Sequence, residues 1–217
     1  KSKWAFFFIC IGKRFQTAFK KITLPFYIEY CKKYDIGIII IKDYIDKDYR
    51  KHEIYSKDPG YQRLLAPNLI KKKFPKYKYI CDIDVDCIPG FSSRNIFKYF
   101  KSIKENEIYL IKPSPGDHTE VDTGKRISLL RKSYLDKKFP LDSIIVASDK
   151  EKSKIFGYKY SGPIATIGTC LGTTKTLSKS GTECYKNIIF KKKFEYLQSY
   201  RINYYHKNLR IKWLPYN

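Results

Sequence analysis

YKYICDIDVDCIPG, residues 77–90, is an apolar, β-branched run that carries aspartates at alternate positions, Asp82, Asp84 and Asp86, before Pro89-Gly90 ends it. On a strand, residues two apart share a face, so these carboxylates would project to one side while Cys81, Ile83 and Val85 face the other. Like charges on a half-buried strand are costly unless a cation sits among them. A divalent metal is therefore the first expectation. Hard oxygen ligands suit Mg²⁺ or Mn²⁺, ions that complete their shells with substrate phosphates.

Upstream, KWAFFFICI (residues 3–11) has strand length and stops at Gly12. Phe15 to Lys33 carries Phe15, Phe19, Ile22, Phe26 and Tyr30 at helical spacing, with Pro25 as a kink. Ile38 to Ile41 is a fully apolar strand of the kind buried in parallel sheets. Asp43 to Gly60 reads as loop, and Tyr61 to Lys73 as a helix interrupted at Pro67 that leads into the aspartate strand. Two β-α-β units result, and with them a mostly parallel sheet whose ligand crevice lies at the carboxyl ends of its strands. Asp84 and Asp86 fall at such an end.

Downstream, the spacing predicts a helix over 94–104, a strand over 107–111, a long loop over 112–125 and a helix over 127–134. Further strands are expected at 143–147 and 164–171, with Thr173 or Thr174 capping a helix behind Gly172. A glycine before a hydroxyl-capped helix start is also a ready anion site. A helix through Tyr205 and a strand over 211–214 end the chain, and more sequence is expected to follow. The fold class is α/β, a single domain over 1–217 with a mostly parallel central sheet flanked by helices.

The length of 217 residues suits one such domain. The six cysteines form no C-x-x-C pair and read as reduced core thiols, which implies a reducing, cytoplasmic setting. A net charge of +23, from 44 Lys and Arg against 21 Asp and Glu, predicts attraction to anions. No run approaches the ~20 apolar residues that span a bilayer, and Trp4 to Ile11 lacks a small-residue cleavage site, so neither transmembrane segment nor signal peptide is read.

The order of elements resembles the GT-A glycosyltransferases, Rossmann-like enzymes with a D-x-D motif, and most of all the retaining galactosyl- and N-acetylgalactosaminyltransferases of the blood-group A/B type. WAFFFICIGKRF looks like that family's first strand, YKYICDIDVDC like its D-V-D strand, YSGPIATIGTCLGTTKTL like its Gly-Gly-Thr turn and helix, and INYYHKNLRIKWLPY like its Leu-Asn helix and following strand. The resemblance implies a nucleotide-binding half over 1–90 and a sugar and acceptor half over 91–217. It implies a nucleoside-diphosphate sugar as donor, a UDP-sugar, with a glycan or lipid-linked acceptor.

Carried over by position, Asp86 is expected to bind Mn²⁺ or Mg²⁺ directly and Asp84 to reach ribose and metal. Ile9, Cys10 and Ile11 match the uridine strand end, Arg14 is the nearest cation for ribose or phosphate, Arg63 matches an arginine against the donor, and Gly172 and Thr173 line the sugar pocket. Asp82 has no counterpart in the motif and is expected to be an outer-shell group or a lysine's partner.

Where the family has its catalytic Asp-Glu, this chain has Gln198-Ser199, with Glu195 the nearest carboxylate. Inversion would instead need a general base, for which Asp117, Glu120, Asp122 and Asp142 are candidates. His206 is a candidate third ligand, while His52 and His118 lack ligand spacing. A basic, metal-dependent nucleic-acid enzyme is the alternative. The charge is diffuse and no nucleic-acid signature is present, so no nucleic acid is expected as partner; a peripheral membrane contact fits the basic surface.

Overall fold

β1 (Trp4–Ile9) is a strand whose middle residues, Ala5 to Phe8, are all buried. Such a strand needs partners on both edges and cover on both faces. Its edges pair in parallel with β2 (Gly37–Ile41) and β3 (Tyr79–Asp82). The computed structural model describes residues 2–52, 59–85, 87–89, 95–99, 103–111, 144–146, 170–191 and 208–214.

Short β4 (Cys87–Pro89) stands apart from the main sheet and pairs antiparallel with β6 (Ile144–Val146). The main sheet adds β5 (Glu107–Ile111), β7 (Cys170–Thr173) and β8 (Arg210–Leu214) in the order β2-β1-β3-β7-β5-β8. β7 alone runs against the other five. The expected mostly parallel α/β sheet is therefore the architecture found.

Alternation along β1 divides the core into two layers. Phe6 and Phe8 pack with Phe19, Tyr27, Cys31, Cys81, Ile83, Phe97 and Leu171 on one face. Ala5 and Phe7 pack with Ile39, Ile41, Ala66, Ile70, Ile80, Ile108 and Leu177 on the other. Phe6, Phe7 and Phe8 are each no more than 1% exposed. Together they contribute roughly 5–9 kcal/mol of transfer free energy.

The first layer is covered by α1 (Lys13–Ala18) and α2 (Leu24–Tyr34), joined by a π turn at Phe19–Thr23. Pro25, expected as a kink, sits in the first turn of α2 directly behind that wide turn. Proline has no N–H for the preceding turn, and the wider winding accommodates the missing bond. Asp35 then leaves the helix in the left-handed region, φ 52°, where Asp is among the more tolerant residues. The second layer is covered by α3 (Ala66–Lys73) and α4 (Thr174–Lys191). All six cysteines are free and buried, as expected of core thiols, and burial pushes Cys10 up to about 11 and Cys31 to about 12.

The helix expected over 61–73 is two elements, a 3-10 turn at Pro59–Leu64 and then α3 with Pro67 in its first turn. The described part of the helix expected over 94–104 is a 3-10 turn at Ile96–Tyr99. The helices expected over 127–134 and through Tyr205 lie outside the described residues.

A close backbone approach locks α4 onto the 3-10 turn. A Cβ at Gly181 would lie 2.2 Å from the Leu64 carbonyl oxygen, a contact that neither backbone can relieve by a rotamer change. Gly181→Ala should therefore lower stability by about 1–3 kcal/mol. Helix propensity alone argues the other way by about 1 kcal/mol. Urea unfolding decides the sign, and a more stable variant would refute the contact.

Candidate active site

The carboxyl ends of β1, β2 and β3 lie together because these strands are parallel neighbours. At that end β3 stops sooner than the sequence predicts. Ile83 N–H makes the last bond to β1, at 3.1 Å to the Phe7 carbonyl, and the Asp84 carbonyl accepts the Cys87 N–H at 3.1 Å. The chain thus turns after Asp82 and enters the separate β4. Asp82 ends β3 and Asp84 lies beyond it, so these two do not share one strand as the alternating pattern predicts.

Asp82 is the last residue of β3 and is 2% exposed. Asp84 follows in the turn and is only partly buried. The Arg63 guanidinium serves both, with Nη2 donating to Asp84 Oδ1 and Nε 3.7 Å from Asp82 Oδ2. Asp82, expected as an outer-shell group or a lysine's partner, pairs with this arginine. Two carboxylates with one guanidinium leave the cluster at a formal charge of −1 when all three ionise.

Arg63 rides on the 3-10 turn Pro59–Leu64, and its neighbour Gln62 fastens that turn to the exit of β2. Gln62, 2% exposed, accepts the N–H of Ile45 at 2.8 Å and of Asp46 at 3.0 Å through Oε1. Asp46 in turn accepts Tyr185 Oη at 2.7 Å and its own loop's Asp48 N–H at 2.8 Å, and its Oδ2 lies 3.0 Å from His52 Nε2. Burial pushes the Asp46 carboxyl up, and the hydrogen bonds from Tyr185, Asp48 and His52 outweigh it, so its pKa is lowered. Burial, and then the bond to Asp46, push the Tyr185 hydroxyl well above its ordinary value. Neither Asp46 nor Gln62 carries a motif in the sequence. Their roles come from contacts 16, 17 and 139 positions apart, beyond any local pattern.

Ile9 ends β1, and the Cys10 N–H donates to the Ile41 carbonyl at 2.8 Å. Cys10 and Ile11 are buried. Arg14 lies on α1 in a depression with Lys13, Thr17, Ala18, Lys21 and Ile22. Gly172 and Thr173 are not brought to the aspartates. Because β7 is antiparallel, Cys170 pairs with Asp82 while Thr173 pairs with Tyr79, at the opposite end of β3 and about 10 Å away along the strand. There Thr173 Oγ1 accepts the Thr176 N–H at 3.0 Å and caps α4, as the helix-start reading expects. Gly172 admits Leu177, whose Cγ would stand 3.1 Å from a Cβ. Gly172 and Thr173, expected to line the sugar pocket, thus lie at the end of the β3 pairing away from Asp82.

Asp86, Asp117, His118, Glu120, Asp122, Asp142, Glu195, Gln198, Ser199 and His206 lie outside the described residues. Among the described residues no three His, Cys, Asp or Glu side chains form a metal cluster. Of the expected metal pair the described residues supply Asp84, a partly exposed carboxylate held by Arg63. That donor suits Mg²⁺ or Mn²⁺ in chemistry and would need further oxygen ligands to complete a site.

No protein-family model and no curated protein sequence matches the chain. Among solved structures it is similar to a glycosyltransferase involved in the glycosylation of the major capsid of PBCV-1, with a TM-score of 0.57 at 11% identity over 97% of this chain and 81% of that one. A second likeness, to core-mannan synthase A of Aspergillus fumigatus in its Mn/GDP form, has a TM-score of 0.44 at 10% identity over 98% of this chain and 73% of that one. At this identity the first likeness is one of fold. The chain shares the α/β fold of that capsid glycosyltransferase.

Arg63→Ala would remove the guanidinium that pairs with buried Asp82 and should cost about 3–5 kcal/mol in urea unfolding. Adding Asp82→Asn to it should recover part of that loss; a double variant as unstable as the single would show that the pair is not what matters. Tyr185→Phe should cost about 1–2 kcal/mol at neutral pH. A lowered carboxyl pKa contributes stability that is complete above the unfolded value, near 4, and is lost as pH falls through the folded one. The difference between Tyr185→Phe and the parent should therefore narrow in the acid range, which unfolding at a series of pH values will show.

Proposed function

We propose that this chain is a metal-dependent glycosyltransferase that moves a sugar from a UDP-sugar to a hydroxyl of a glycan or lipid-linked acceptor. The observation that carries the reading is the Arg63–Asp82–Asp84 cluster at the carboxyl ends of parallel strands, the place where open α/β sheets take ligands, in a fold shared with a glycosyltransferase.

In this reading Asp86 would hold the metal directly, and Asp84, paired with Arg63, would reach the donor ribose and the metal. When bound, Mn²⁺ or Mg²⁺ supplies Lewis-acid neutralisation of the departing diphosphate. Ile9, Cys10 and Ile11 form an apolar wall for the uracil at the end of β1, with Arg14 next along the chain. Arg63 holds the Asp84 carboxylate at one angle, so that donor binding need not order it. Asp82 helps hold the Arg63 guanidinium in place from the buried side.

The test pairs ligand-dependent stability with turnover. UDP with Mn²⁺ at a hundred times its Kd should raise Tm by about 5–10 °C, and either alone by much less. Asp86→Asn should remove the joint effect and lower turnover of the UDP-sugar at least about a hundredfold. Comparing UDP-glucose, UDP-galactose and GDP-mannose identifies the donor. Tight polynucleotide binding that weakens steeply with salt, with no effect of UDP, would replace this reading with a nucleic-acid one.

A further inference from the structure

Lys13, Arg14 and Lys21, with Thr17, Ala18 and Ile22, line an open depression of about 550 Å³ on the outer side of the first helix. The positions 13, 17, 21 and 14, 18, 22 fall on one face by helical spacing. Thr17 donates its hydroxyl to the Lys13 carbonyl at 2.9 Å, so the charge of the depression comes from its cations, and Ala18 and Ile22 add apolar lining.

The surrounding charge is one-sided. Residues 1–34 hold eight Lys and Arg and a single acid, Glu29. Four exposed lysines in other segments pair with carboxylates: Lys47 with Asp43, Lys51 with Asp48, Lys175 with Glu105 and Lys212 with Glu107. Among the described residues no acid pairs with Lys13, Arg14 or Lys21. Cations beside an apolar lining match an anionic group on an apolar stem. The headgroup layer of an acidic bilayer presents that chemistry as an array, and basic side chains near such a surface add up in affinity.

We propose that this face, made by α1 and the π turn behind it, docks the protein on the surface of an anionic lipid bilayer. The docking is peripheral, since among the described residues no helix is long and apolar enough to cross a membrane. It shares Arg14 with the proposed nucleotide site and otherwise uses residues away from the aspartate cluster.

The test is co-sedimentation of the whole chain with vesicles of phosphatidylcholine alone and with about 30% phosphatidylserine. Binding should need the acidic lipid and weaken with salt. Replacing Lys13, Arg14 and Lys21 together by Gln should lower partitioning roughly a hundredfold, since each basic group near the surface is worth roughly fivefold. Circular dichroism confirms that the variant folds. The same triple replacement at Lys71, Lys72 and Lys73, an exposed basic cluster at the end of α3, should change partitioning only a few-fold. Equal losses from both variants would mean diffuse charge and overturn the proposal. So would absence of binding to acidic vesicles, or a single-stranded polynucleotide that outcompetes them through the same three residues.

Discussion

The ion pairing of one arginine with two aspartates constrains everything around it. Asp82 is 2% exposed at the end of a central strand, and a carboxylate there ionises only with a cation beside it. Arg63 supplies the cation but belongs to a short 3-10 turn, an element with little stability of its own. Its position must be fixed from outside. Gln62 ties the turn to the β2 exit, Asp46 and Tyr185 tie that exit to α4, and the absent side chain of Gly181 lets α4 reach the Leu64 backbone. The packing of the second helical layer is thus also the scaffold of the candidate site.

The sheet decides where that site lies. With β1, β2 and β3 parallel, their carboxyl ends share one side, and the chain must leave each of them there through a loop free to carry chemistry. β7 enters from the same side and runs away from it. Its last residues, Gly172 and Thr173, therefore do structural work at the far end: close packing against Leu177 and the cap of α4.

Much of this was legible in residue order. The aromatic run of β1, the isoleucines of β2 and the alternating pattern before Asp82 carry strand periodicity strong enough to place three neighbouring parallel strands. Periodicity could not say that β3 stops at Asp82, because Ile83 and Val85 continue the strand pattern and β1 itself runs on to Ile9; the chain turns away from an available partner. The same limit hid the reversal of β7, since a strand reads alike in either direction. Arg63 drew notice through a family resemblance, but its partnership with Asp82 joins residues 19 positions apart and leaves no local trace.

The electrostatics of the cluster bear on the proposed reading in a way that charge counting does not. A chain of +23 would be expected to offer bare cations to a diphosphate, yet at the strand ends Arg63 is engaged by two carboxylates and the local formal charge is −1. A nucleoside diphosphate brought to such a place meets like charge at short range, where repulsion at an effective dielectric of about 20 amounts to about 4 kcal/mol per charge pair at 4 Å. The surplus lysines, exposed and screened beyond about 8–10 Å, steer an anion to the surface without cancelling that local term. A divalent ion between carboxylates and phosphates reverses its sign. An arginine freed from Asp82 would ease that repulsion, but it would also leave the buried strand end without the pairing that holds the turn in place.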